Sequence, residues 1–297
     1  MIITRKLNKN NGLQVWQTEH QAVTSCIVHL ADSANFKGVT SNKLCNGLTG
    51  LCFESPNDTI HVTVGNNFKR TNYMKYTLAF DVYGTLINTS GVFNSLEQMI
   101  GDKAKPFMDT WRNKQLEYSF RRGLMNKYMD FSVCTKDSLE FCCKMFKTDL
   151  TEGHKEALMN EYSILPTFAD VENGLKSLKE SGHKLFAFSN GSGKAISKLL
   201  TNAKIIDRFD GIISVEDVEI FKPSPLVYEY FNKETNSTKS DTWLISSNPF
   251  DVIGAISYGM RSAWVQRSQD LIFDPWGIEP TIIINKLTDL SLELEKK

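Results

Sequence analysis

The stretch FDVYGTL at residues 80–86 constrains this 297-residue chain more than any other feature. An apolar run over 76–83 predicts a buried strand, and Gly84 follows as a turn residue. In an open parallel sheet, ligands bind outside the carboxyl ends of the strands. The pattern therefore places Asp81 where a carboxylate nucleophile would act, although an aspartate in a glycine-containing bend also caps many turns.

Three further apolar segments also run directly into polar residues. They are KLFAF before SNG at 189–191, the short pair IF before KP at 222–223, and TWLI before SSN at 246–248. Four such coincidences favour one shared ligand site over four unrelated turn caps.

From Met74 onward, strand-like and helix-like segments alternate. Strands are predicted near 76–83, 184–189, 211–215, 242–247, 262–266 and 281–285, and helices near 172–181, 194–203, 225–234 and 251–260. This alternation predicts an α/β fold with a doubly wound parallel sheet, that is, a Rossmann-like core. A long, largely helical insert is predicted after the first strand, at about 89–165.

Taken together and in this order, the motifs resemble the haloacid dehalogenase superfamily, and in detail its metal-independent L-2-haloacid dehalogenase branch. The resemblance runs from about Met74 to the C-terminus. It rests on FDVYGTL at 80–86, WRNKQLEYSFRR at 111–122, SNGS at 189–192, FKPSPLVY at 221–228 and SSNPFDVIGA at 246–255. It implies a catalytic core formed by 74–88 and 166–297, with a helical cap at 89–165. It also implies hydrolysis of short-chain L-2-haloacids to D-2-hydroxy acids through an aspartyl ester.

The chemistry of the motifs separates this branch from phosphatases of the same superfamily. Those phosphatases carry a second aspartate two residues after the nucleophile, where this chain has Tyr83. A halide is too weak a base to need a proton from such an acid. Magnesium also prefers several oxygen ligands, and Asp81 and Asp251 alone make a poor magnesium site. Neither a metal nor another cofactor is therefore expected, with a magnesium-dependent phosphatase and a catalytically silent binding module as the alternatives.

Individual residues then take expected roles in the two chemical steps. Lys222 is the natural counter-charge for Asp81, since an opposite charge favours the ionised carboxylate; otherwise it is a surface lysine before a turn proline. Asp251 is the candidate to activate a water, oriented through Ser246 and Asn248, for hydrolysis of the ester. The expected catalytic residues are Asp81, Thr85, Arg112, Lys222, Ser246, Asn248 and Asp251.

The remaining roles concern substrate and halide. The resemblance implies that Arg112, on one polar face of a predicted helix with Gln115 and Ser119, receives the halide with help from Asn190; such a face is otherwise simply solvated. Hydroxyls such as those of Thr85 and Ser189 are candidates to bind the substrate carboxylate or Asp81, or to cap turns. The expected substrate-binding residues are Tyr83, Leu116, Phe131, Ser189, Asn190, Tyr228 and Phe250.

Composition limits the partners of the chain. Thirty-four basic and thirty-four acidic residues cancel, so nothing points to nucleic acid or an anionic membrane. No apolar run approaches the ~18 residues of a membrane helix. Adjacent Cys142 and Cys143 in a predicted helix are typical of reduced core thiols, which favours the cytoplasm. The expected partner is a small 2-haloalkanoic acid, and the choice between monomer and homodimer stays open.

Residues 1–73 depart from the family pattern. Their many asparagines and glycines argue against a well-packed helical unit. Short apolar runs at 22–30 and 59–64 are candidate strands of a small β-rich appendage. We expect an N-terminal extension of unknown role that is dispensable for the chemistry.

Overall fold

A computed structural model of the protein describes residues 51–54, 61–64 and 74–297. The chain divides into two units, 1–72 and 73–297, which are treated separately. In the first unit, β1 (Leu51–Glu54) pairs antiparallel with β2 (His61–Val64). The strand β2 confirms the predicted strand at 59–64, whereas the candidate strand at 22–30 lies outside the described residues.

The second unit is built on a six-stranded, entirely parallel sheet with the order β5-β4-β3-β6-β7-β8. Its strands are β3 (Thr77–Phe80), β4 (Lys184–Ser189), β5 (Gly211–Ser214), β6 (Thr242–Ser246), β7 (Arg261–Val265) and β8 (Ile282–Ile284). Leu78 and Phe80 pack into one core, while Ala79 packs into another on the opposite face. Burial on both faces explains why the strands read as continuous apolar runs, and the predicted doubly wound α/β fold is confirmed.

Nine α-helices accompany the sheet in the part of the chain that the structure describes. They are α1 (Phe93–Ile100), α2 (Ala104–Leu124), α3 (Phe131–Phe146), α4 (Glu152–Glu161), α5 (Val171–Glu180), α6 (Gly193–Asn202), α7 (Pro225–Thr235), α8 (Pro249–Tyr258) and α9 (Leu290–Leu294). Proline stands at the start of α7 and α8, where its missing N–H costs nothing. None of the described helices is long and apolar enough to cross a membrane.

Helices α1–α4 follow β3 in the chain and pack on one another around aromatic side chains. The Trp111 ring contacts Phe107 and Tyr162, and its indole N–H donates to the carbonyl of a residue on α3. The polar face of α2 is not solvated, because Gln115 and Ser119 are buried. Gln115 is buried against α3, and its amide donates to the hydroxyl of Thr135 at 2.6 Å.

The register of the sheet brings the sequence motifs to one edge. Phe80 at the end of β3 pairs with Ala187 of β4 on one side and Ile245 of β6 on the other. The residues that follow these strands are therefore neighbours in space. Lys222 arrives differently, because the apolar pair before it lies in a loop and not in a strand.

Candidate active site

Asp81 lies directly after β3 and its two carboxylate oxygens have different surroundings. Oδ2 accepts hydrogen bonds from Asn248 Nδ2 at 2.7 Å, Thr85 Oγ1 at 2.8 Å and Ser246 Oγ at 3.3 Å. Oδ1 accepts only from Lys222 Nζ, at 3.4 Å, among the residues described. Three donors hold the carboxylate in one orientation, and Oδ1 remains the oxygen that is free to react.

The turn after Asp81 sets this arrangement. Gly84 has a φ of +83°, a left-handed conformation that glycine adopts without strain. The turn returns the Thr85 hydroxyl to Asp81, and Thr85 Oγ1 also accepts from the backbone N–H of Ser247 at 2.8 Å. Asn248 Nδ2 donates in addition to the carbonyl of Tyr83 at 3.2 Å, which ties the turn to the start of α8.

Lys222 is an ammonium ion buried between two carboxylates. Its side chain is only 1% exposed. Nζ donates to Asp251 Oδ2 and to the carbonyl of Phe188, both at 2.9 Å, and to Asp81 Oδ1. These contacts use all three of its N–H groups. The lysine is thus fixed beside Asp81, and its surface alternative is excluded.

Asp251 lies in the first turn of α8 and is fully buried. One oxygen pairs with Lys222, and the other accepts from the Tyr228 hydroxyl at 2.8 Å. Burial raises the pKa of Asp251, and the Lys222 charge opposes that shift. Burial also raises the pKa of Tyr228, so its hydroxyl stays a donor. The expected substrate-binding role of Tyr228 therefore needs correction: the residue supports Asp251 and does not line the cavity.

A small cavity opens over Asp81. The empty space above Asp81, part of which is open to solvent, is about 270 Å³. Its walls are formed by Asp81, Tyr83, Arg112, Leu116, Phe131, Ser189, Asn190, Lys222, Asn248 and Phe250. The structure thus brings every expected substrate-binding residue except Tyr228 to one cavity, while Thr85, Ser246 and Asp251 lie behind it.

The cavity is suited to a small anion that carries an apolar group. Two cations, Arg112 and Lys222, line it together with a single acid, Asp81. Arg112 comes from α2, where its guanidinium donates to Gln115 Oε1 at 2.6 Å and to Asn248 Oδ1 at 3.4 Å. Burial lowers the pKa of Arg112, yet a guanidinium remains charged in proteins. Leu116, Phe131 and Phe250 form apolar parts of the wall. Tyr83 stays neutral because burial raises its pKa.

Ser189 and Asn190 occupy the cavity wall contributed by the end of β4. Ser189 Oγ accepts from the backbone N–H of Gly191 at 3.1 Å, so its hydroxyl hydrogen remains available. Asn190 Oδ1 accepts from the backbone N–H of Lys222 at 2.9 Å. This bond leaves the amide nitrogen of Asn190 as a donor that faces no partner among the residues described.

The residues do not fit the magnesium ion that the phosphatase alternative requires. Both oxygens of Asp251 are occupied by Lys222 and Tyr228, and the ammonium lies between Asp251 and Asp81. Within 51–54, 61–64 and 74–297, no cluster of three His, Cys, Asp or Glu side chains has metal-binding geometry. A cation beside Asp81 would meet the Lys222 charge, which is unfavourable.

Comparison with known proteins agrees with this geometry. The sequence model of the haloacid dehalogenase-like hydrolase family matches residues 78–265. The chain belongs to this family. Among curated members, it is similar to an (S)-2-haloacid dehalogenase of Pseudomonas putida, with 34% identity over 214 residues that cover 72% of this chain and 94% of that protein. It is also similar to haloacetate dehalogenase H-2 of a Moraxella species, with 34% identity over 70% of this chain and 92% of that protein.

Solved structures of the family give the same result. The structure of L-2-haloacid dehalogenase from Xanthobacter autotrophicus superposes with a TM-score of 0.69 and 28% identity, covering 75% of this chain and 99% of that chain. A second structure of that enzyme contains covalently bound chloropropionic acid and also superposes with a TM-score of 0.69, at 28% identity over 73% of this chain and 97% of that chain.

The roles of two parts of this site were not predicted from the sequence. Gln115 orients Arg112, and the signal for it was its position three residues along the same helix face. Arg267 and Asp170 form a partly buried ion pair behind Thr85, and no local pattern in the sequence links these three residues.

Proposed function

We propose that the chain hydrolyses the carbon–halogen bond of short-chain L-2-haloacids and releases D-2-hydroxy acids and halide. The observation that carries this proposal is the asymmetric environment of Asp81. One oxygen is held by three neutral donors, while the other faces Lys222 at 3.4 Å in the cavity. A fixed carboxylate with one free oxygen beside a cation is suited to attack an electrophilic carbon.

In the first step, Asp81 Oδ1 forms a bond to carbon 2 of the haloacid as the carbon–halogen bond breaks. The halogen departs with the bonding electrons as halide, and carbon 2 is inverted. Arg112 and the free amide N–H groups of Asn190 are the donors for that anion. A guanidinium binds a released anion without surrendering a proton. The Ser189 hydroxyl is the candidate donor to the substrate carboxylate.

In the second step, water attacks the carbonyl carbon of the Asp81 ester. The bond between Cγ and Oδ1 of Asp81 then breaks, and Oδ1 leaves with the product. The configuration of carbon 2 therefore does not change again. Asp251 accepts one proton of the water and passes it to the leaving alkoxide oxygen, a role that suits a carboxylate whose pKa is raised by burial. The other proton leaves the new Asp81 carboxyl for solvent, which restores the carboxylate. Ser246 and Asn248 orient the water, and inversion followed by hydrolysis yields the D product.

We also propose a cap role for 89–165 over a core formed by 74–88 and 166–297. Arg112 and Leu116 of α2 and Phe131 of α3 complete the cavity wall, which supports this division.

The proposed location is the cytoplasm. The free, buried thiols of Cys134 and Cys142 support it, because unpaired cysteines are typical of a reducing compartment.

The test is halide release from the separate enantiomers of 2-chloropropionate, with and without EDTA. We expect release from the L enantiomer, little or none from the D enantiomer, and no effect of the chelator. Asp81→Asn serves as the inactive control of almost the same shape. Activity that EDTA abolishes and magnesium restores would favour the phosphatase, and no turnover of any haloacid would favour the silent binding module.

A further inference from the structure

Arg267 makes a partly buried hydrogen-bond network behind the nucleophile. Its side chain is 9% exposed and follows β7 in the chain. Nε and Nη2 both donate to the backbone carbonyl of Thr85, at 3.1 and 2.5 Å. Nη1 donates to both carboxylate oxygens of Asp170, at 2.8 and 2.7 Å. The guanidinium carbon also lies 4.2 Å from the centre of the Phe168 ring, so the group is held both by hydrogen bonds and by an aromatic contact.

These contacts join the two chain segments that connect α1–α4 to the sheet. Thr85 belongs to the segment that leaves β3, and Asp170 to the segment that returns before α5. The same two segments exchange backbone hydrogen bonds, from Asn88 N–H to the Pro166 carbonyl at 2.8 Å and from the N–H of Phe168 to a carbonyl of the leaving segment at 3.1 Å. Arg267 therefore contacts both connecting segments, through Thr85 in one and Asp170 in the other.

The network reaches the reacting group through a single residue. The Thr85 carbonyl is held by Arg267, and the Thr85 hydroxyl donates to Asp81 Oδ2 at 2.8 Å. A displacement of the Thr85 backbone would move this hydroxyl and rotate the carboxylate. We propose that Arg267, oriented by Asp170, is a positioning residue that holds the Asp81 carboxylate in its attacking orientation through Thr85. This inference rests on the proposed function.

Lysine cannot reproduce the arrangement, because one ammonium lacks the planar fork that contacts Thr85 and Asp170 together. We expect Arg267→Lys to lower kcat for L-2-chloropropionate about tenfold, as small misplacements of a reacting group do, with KM almost unchanged. In a Thr85→Val background, where the hydroxyl is absent, the same substitution should change kcat less than twofold. The matched control is Arg208→Lys, at an exposed ion pair with Glu172, which should leave kcat unchanged.

A loss of kcat that is equal in both backgrounds would show that Arg267 does not act through the Thr85 hydroxyl and would overturn the inference. An unchanged kcat in Arg267→Lys would also overturn it. Asp170→Asn, which keeps the shape but weakens the ion pair, should reproduce part of the kcat loss of Arg267→Lys.

Amide hydrogen exchange of the full chain separates this inference from the proposed function, since it needs no turnover. In Arg267→Lys, the hydrogen-bonded amides of Leu86, Ile87, Asn88 and Phe168 should exchange faster, while those of β6 keep the parent rate. Equal exchange rates in parent and variant would reject the positioning role. Absence of halide release by the parent chain would instead reject the proposed function.

Discussion

Removal of the Lys222 charge tests the electrostatic design of the site. In Lys222→Met, Asp81 and Asp251 lose their shared counter-charge, and the Phe188 carbonyl loses a donor. The side chains of Lys222 and Asp251 are each 1% exposed, so water does not replace the lost contacts. Breaking a buried pair in this way costs about 3–5 kcal/mol. For a domain of this size, that corresponds to a decrease in Tm of roughly 6–20 °C.

The loss of folding stability in Lys222→Met should depend on pH in a defined direction. Burial already raises the pKa of Asp251, and loss of the Lys222 charge raises it further. A carboxyl whose pKa is raised in the folded state destabilises the fold when it ionises. Below the unfolded pKa of about 3.9 this cost is absent, and it grows as the pH rises toward the folded pKa. The difference in stability between parent and variant should therefore widen from pH 4 to pH 7.

Urea unfolding at several pH values measures this difference directly. The control is Lys176→Met, whose side chain is 58% exposed and lies 4.0 Å from Glu180; an exposed pair contributes about 0–1 kcal/mol. A Lys222→Met protein within about 1 kcal/mol of the parent at pH 7 would refute the reasoning, since buried pairs cost more to break. A deficit of constant size across the pH range would refute the role given to Asp251.

Three further changes test the support of Asp251 and the N-terminal boundary. A methyl group in Gly254→Ala would lie 2.5 Å from the Tyr228 hydroxyl, so urea unfolding should show a loss of about 1–3 kcal/mol from overpacking; parent stability would contradict this contact. Tyr228→Phe removes a hydrogen bond that lowers the pKa of Asp251, so the acidic limb of the kcat profile should move to higher pH, and an unmoved limb would count against Asp251 as the base. A chain that begins at Met74 should keep its turnover number within a few-fold by active-site titration, because the proposed catalytic residues lie at Asp81 or beyond; an insoluble or inactive product would show that the boundary is wrong.

Much of the fold is readable from the sequence because the sheet is buried on both faces. The strand predicted at 184–189 has the same first and last residues as β4. The strands predicted at 211–215 and 242–247 are each one residue longer at the carboxyl end than β5 and β6. The first strand is shorter than its apolar run, since the chain turns out of the ladder after Phe80. The helix predicted at 251–260 begins at Pro249 and ends before Gly259, whose φ is +106°.

Apart from the local contact of Gln115 with Arg112, the parts of the site that escaped prediction depend on distant segments. Arg267 contacts the carbonyl of Thr85 across 182 residues of sequence, and a local window contains no sign of it. Tyr228 follows the lysine motif closely in the chain, yet only the packing of α7 against α8 reveals that it supports Asp251. Residues at strand ends were predictable because the sheet register aligns them, whereas such supporting contacts are set by tertiary packing.

The most direct test of the account is the fate of oxygen in a single turnover. Enzyme in excess over L-2-chloropropionate is allowed to react once in heavy-oxygen water, and peptides containing Asp81 and the hydroxy acid are analysed by mass spectrometry. We expect the heavy atom in the Asp81 carboxylate and a light hydroxyl in the product, because water attacks the ester carbonyl. Heavy oxygen that appears directly in the product, with Asp81 unlabelled, would contradict covalent catalysis by this residue.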